Sequence, residues 1–121
     1  MKRDFDLIRE ILFVVEQYPV LDRAVCLQAK QFSDKFPNIT DDMLNEHIQL
    51  LVEVNLLEAE PYQLGWFITR LTWSGHDFLA NSRVKSAWEK AKQVAGALSF
   101  SAFSAVLNEA VITYGKQAAG G

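Results

Sequence analysis

One cysteine in 121 residues, Cys26, excludes an internal disulfide framework and any Cys-x-x-Cys zinc site. An excess of positive charge is also missing. Twelve Lys and Arg stand against fifteen Asp and Glu, giving a net charge of −3 and a pI near 5.3. The bulk basic footprint of a protein that grips phosphates is therefore absent. No long uninterrupted apolar run occurs. The first such stretch, LIREILFVVEQY, is broken by Arg9, Glu10 and Glu16. It is too short and too charged to span a bilayer and lacks a small-residue cleavage site. The expectation is a cytoplasmic protein with no membrane contact. There is no glycine-rich phosphate cradle, no Gly-x-Ser-x-Gly elbow, no repeat and no low-complexity segment. What is present is an ordinary globular composition, half hydrophobic and 22% charged. A chain of this length buries about two-thirds of its unfolded surface and needs no covalent staples.

Asp4 is placed to cap a first helix running to about Gln17, with Phe5, Ile8, Ile11, Leu12 and Val15 forming one apolar stripe. Tyr18-Pro19 ends it. Residues 24–32 alternate weakly, as a strand or a short helix. Thr40 caps the clearest helix, DDMLNEHIQLLVEVN, whose acidic first turn suits a positive helix end. Leu44, Ile48 and Leu51 make one ridge; Met43, His47, Leu50 and Val54 make its neighbour. Asn55 suits the left-handed position after the helix, and Leu56-Leu57 leads into a strand. LEAE-PYQLG-WFITRLT then reads as a hairpin. WSGHDFLANSRVKSAWEKAKQVAG is helical, with a break near Asn81-Ser82. A final helix is capped by Ser99 and stopped by Gly115.

The expected architecture is α+β and mostly helical, a winged helix-turn-helix-like domain with a short β-hairpin wing and extra C-terminal helices. Residues 1–80 form the core, 81–116 a helical extension packed on the core or on a second copy, and 117–121 a frayed tail.

The stretch ITRLTWSGHDFL brings Thr72, Ser74, His76 and Asp77 together and resembles a hydrolase site in composition only. Neighbouring helical side chains point about 100° apart, so His76 and Asp77 do not pair, and a triad needs all three partners within hydrogen-bond reach. Thr72 or Ser74 instead starts a helix. His47 and His76 lie on different elements with no second ligand at helical spacing, which argues against a metal site with Cys26. His47 reads as a hydrogen-bonded histidine at the core edge. Trp66, Trp73 and Trp88 read as core. No catalytic residue, metal, cofactor or small-molecule substrate is expected.

MKRDFDLIREIL, EHIQLLVEVNLL, RLTWSGHDFL and the following SR…W with Arg83 and Trp88 resemble a bacterial domain family of unknown function common in prophages and other mobile elements. The LTW-x-GH-x-FL block is its more specific part. The resemblance implies a small winged-helix-like accessory protein. Asn55 stands where that family often has Gly, and Val84-Lys85 where it usually has acids.

In a repressor, the EHIQLL helix would enter the major groove with its polar face outward. Here that face is Asp42, Asn45, Glu46, Gln49 and Glu53, with Asp41 nearby and no Lys or Arg. Four carboxylates each about 5 Å from a phosphate would oppose binding by about 3 kcal/mol in water. The leading expectation is therefore a non-enzymatic module that binds protein, as a homodimer, with Phe13, Phe103, Leu107 and Tyr114 as candidate interaction residues. The alternative is a DNA-binding regulator using another face, with Lys2, Arg3, Arg70, Arg83, Lys85, Lys90 and Lys92 as candidate contacts.

Overall fold

A computed structural model describes residues 3–17, 36–62, 65–95 and 99–120. The stretch 24–32 and Lys2 lie outside the described residues. The described elements are α1 (Phe5–Gln17), α2 (Asp41–Glu53), β1 (Leu57–Tyr62), β2 (Gly65–Leu71), α3 (Trp73–Ser82), α4 (Lys85–Ala95) and α5 (Phe100–Gly120). The architecture is thus mostly helical, with a small antiparallel two-stranded sheet. The chain divides into two compact units, Met1–His76 and Asp77–Gly121, and the division falls inside α3.

In the first unit, α1 packs against α2 and β2, and α2 packs against both strands. The α1 stripe is buried as its spacing requires: Phe5, Ile8, Ile11, Leu12 and Val15, joined by Leu7. Asp4 caps α1, its Oδ1 accepting the Leu7 N–H at 3.1 Å. Thr40 caps α2 by accepting the Met43 N–H at 3.2 Å. Each such cap stabilises a helix by about 1 kcal/mol. Asn55 has φ 61° and ends α2. Around it Leu56 N–H reaches Leu51 O at 2.9 Å and Asn55 N–H reaches Val52 O at 3.0 Å. This pair of bonds is a Schellman closure, completed by burial of both Leu51 and Leu56.

The hairpin carries an irregularity that its alternation did not reveal. Glu58 faces Arg70, but Ala59 faces Ile68, so Thr69 is an extra residue on β2. That bulge lets Ile68 and Leu71, three positions apart, both enter the core.

The break between α3 and α4 falls at Arg83-Val84, two residues later than expected. In the second unit α4 and α5 pack along each other. Ala87, Trp88 and Ala91 from α4 are buried, as are Phe103, Leu107 and Ala110 from α5. Phe103 meets the Trp88 ring edge-on at 5.1 Å between centroids, and Phe78 meets Trp88 in the same way at 6.1 Å. Ser99 caps α5 by accepting the Ala102 N–H at 3.2 Å. Gly115 does not stop this helix, which continues to Gly120. An interior glycine costs a helix about 1 kcal/mol relative to alanine, which is too little to terminate it unaided.

Candidate interaction surface

Thr72 holds the first unit's corner together. Its backbone N–H donates to Leu56 O at 3.1 Å, its Oγ1 donates to Asn55 O at 2.6 Å, and the same oxygen accepts the Gly75 N–H at 3.0 Å. The last bond makes Thr72 the cap of α3, and Ser74 is exposed. Gly75 faces the end of α2. A Cβ there would run into the Leu56 carbonyl oxygen and lie 3.0 Å from its carbon. The Leu71–Gly75 stretch therefore joins the Schellman loop to the hairpin and to α3. His76 and Asp77 are both exposed on α3.

His47 is completely buried. Its Nε2 accepts the Asp4 backbone N–H at 2.9 Å. A backbone N–H only donates, so Nε2 is unprotonated; Nδ1 carries the hydrogen and donates to Met43 O at 2.8 Å. In a capping box a side chain of the same helix takes the cap residue's N–H. Here His47 does this from α2, forty-three residues away. Both ring nitrogens are committed, which makes His47 a structural joint.

The rest of α2 shows its other side. Asp41, Asp42, Glu46, Gln49 and Glu53 are exposed and Asn45 is half-buried. This ridge carries four carboxylates and no cation. Arg70 on the hairpin is occupied by Glu58, with Nε–Oε2 at 2.7 Å and an Nη2–Oε1 bond at 3.1 Å, and donates a third bond to Leu71 O at 3.1 Å. Both side chains are about half exposed, so the pair stabilises the hairpin by under about 1 kcal/mol, but it leaves little of the guanidinium for a phosphate.

The other basic candidates are scattered. Arg3 is exposed, 6.0 Å above the Phe5 ring. Arg83, Lys85, Lys90 and Lys92 are exposed. At about 100° per residue, Lys85 and Lys92 share one side of α4 with Glu89 between them, and Lys90 points elsewhere.

The apolar candidates separate sharply. Phe103 and Leu107 are fully buried within the chain and are not surface residues. Their stripe faces the chain's own packing, which periodicity alone does not distinguish from an interface. Phe13 at 43% and Tyr114 at 36% exposure remain outside. Of the three tryptophans, Trp88 is buried and Trp66 half-buried, but Trp73 is 83% exposed, contrary to its expected place in the core. The signal was present in the α3 stripe. Gly75, Phe78, Leu79 and Ser82 face inward, and Trp73 lies about 200° round the helix from Gly75.

A hollow of about 360 Å³ lies between α1 and residues 36–39, lined by Leu7, Val14, Phe36 and Ile39 with Asp6 and Glu10 at its side. Among the described residues no cluster of three His, Cys, Asp or Glu is placed to hold a metal, and no helix is long and apolar enough to cross a membrane.

Comparison with known proteins adds a family. The family described as hypothetical protein, DUF2513, matches residues 2–101. An uncharacterized protein of Haemophilus influenzae is 29% identical over 96 residues, covering 76% of each chain. No solved structure matches.

Proposed function

Because this chain belongs to the DUF2513 family, we propose a function from its surface: a non-enzymatic, winged-helix-like binding module that acts by docking on another protein. The resemblance to a prophage-borne family further supports a phage or mobile-element accessory protein working in the bacterial cytoplasm as a homodimer. The order α1, α2, left-handed Asn55, hairpin, α3 supports the winged-helix part of this reading. One observation carries the function: the exposed ridge of α2, where a winged-helix repressor would read DNA, bears Asp41, Asp42, Glu46 and Glu53 and no Lys or Arg. Shape favours the groove and charge refuses it.

The competing reading, a DNA-binding regulator, has in its favour the exposed Lys85 and Lys90 on α4. A salt titration of duplex binding separates the two. The protein-docking reading expects no measurable affinity at about 50 mM salt, whereas a log–log slope of about three or more would establish phosphate contacts and replace it. Light scattering tests the homodimer: a single 13.7 kDa species removes that part of the proposal.

A further inference from the structure

We infer that the hollow between α1 and residues 36–39 is the docking site, and that it takes a basic segment of the partner protein. An apolar side chain of that segment enters the hollow, and a lysine or arginine next to it meets Glu10. The inference rests on the protein-docking reading and names the partner's chemistry. Apolar and acidic groups line this one space together. Leu7 and Phe36 are buried, Val14 and Ile39 half-buried, and Asp6 and Glu10 exposed, so the carboxylates lie on the solvent side of the apolar lining. At about 360 Å³ the hollow sits at the small end of ligand clefts, which run from roughly 300 to 1,000 Å³. It has room for side chains, not for a large cofactor.

Both walls are held before anything binds. Asp4 fixes the start of α1, with its N–H on His47 and its Oδ1 on the Leu7 N–H. Opposite, residues 36–39 form a tight turn closed by the Ile39 N–H on Phe36 O at 3.1 Å, and Pro37 stands second in it, where its fixed φ suits the turn. A hollow formed in advance loses little ordering entropy on binding.

Charge chooses the occupant. Asp6 lies in the first turn of α1, where the helix end favours an acid, but Glu10 is a turn further on and gains little from it. Among the described residues Glu10 has no ion-pair partner. Asp6 and Glu10 are also four apart on one helix, a spacing at which like charges repel. A cation placed over them relieves that repulsion. A wholly apolar segment would fill the hollow but desolvate Glu10 without a partner. Duplex DNA and an anionic membrane would bring negative charge to the same rim. A second copy docking through its own first unit sets acid against acid, because Met1–His76 holds twelve Asp and Glu against seven Lys and Arg.

The test uses the full chain and a short synthetic peptide with a central phenylalanine flanked by lysines. One control peptide carries glutamate for lysine, the other alanine for phenylalanine. Binding is followed by two-dimensional NMR. The lysine–phenylalanine peptide should shift the backbone signals of Leu7, Glu10, Val14 and Ile39, and neither control should. Glu10→Lys should weaken that peptide about tenfold while leaving the spectrum dispersed and the melting temperature unchanged. Val14→Trp, which puts a ring into the hollow, should block it. Unmoved hollow signals, equal shifts with either control, or equal affinity of wild type and Glu10→Lys would each overturn the inference. So would hollow signals that move with protein concentration alone, which would make a second copy the occupant. None of these outcomes bears on the protein-docking reading, which fails separately if duplex DNA shifts the α2 signals.

Discussion

The two units are built by different means. Met1–His76 is joined at polar points, where His47 takes the Asp4 N–H, Thr72 clasps the end of α2, and Asn55 turns the chain with a left-handed residue. Asp77–Gly121 is joined by rings and small side chains, with Phe78, Trp88 and Phe103 edge to face and Ala87 and Ala91 letting the helices approach. Their charges also differ. The first unit has five more acids than bases, whereas the second has five Lys and Arg against three Asp and Glu. A unit held by directional bonds tolerates little exchange of chemistry at its joints. One held by packing tolerates exchange but not loss of volume. Substitutions therefore separate the two.

The largest effect belongs to packing. Phe103→Ala should cost about 3–5 kcal/mol in urea unfolding, and Phe103→Leu should recover much of that loss by refilling the space. Next comes Gly75→Ala, which forces a methyl against the Leu56 carbonyl oxygen. It should cost about 2–3 kcal/mol in the same assay, because backbone rather than a movable side chain is in the way. His47→Leu should cost about 2 kcal/mol by leaving the Asp4 N–H without an acceptor. His47→Gln, whose amide oxygen offers an acceptor, should recover part of it. If leucine proves as good as glutamine there, the first unit is held by volume after all and the contrast collapses. Smallest is Asn55: Asn55→Gly should lie within a few tenths of a kcal/mol of wild type, and Asn55→Ala should cost about 1 kcal/mol, because φ 61° strains a Cβ-bearing residue without a polar side chain.

These positions also mark how far sequence reading reached. The caps at Asp4, Thr40 and Ser99, the α1 stripe, the Asn55 turn and the hairpin were all legible, because each depends on residues within about one helical turn or one strand pair. His47 was recognisable as a hydrogen-bonded histidine, but its partner lies forty-three residues away and no local pattern names it. No local pattern names the Leu56 carbonyl as the neighbour of Gly75, because it lies nineteen residues back along the chain. The extra residue at Thr69 was hidden because alternation assumes an unbroken register. Trp73 was assigned to the core from its place between the hairpin root and the helix, when the phase of its own helix pointed outward. Phe103 and Leu107 show the converse: an apolar stripe says that burial is required, not which surface supplies it.

The acidity of the α2 ridge was fully readable, and the proposed function stands on it. The most direct test reverses that charge. Asp42→Lys combined with Glu46→Lys replaces two repulsions with two attractions, a change of about 3 kcal/mol at 5 Å in water. Fluorescence anisotropy with a labelled duplex should then show affinity in the variant, weakening with salt, where the wild type shows none. A variant as inert toward DNA as the parent, or a parent that already binds, would contradict the claim that charge keeps this helix out of the groove.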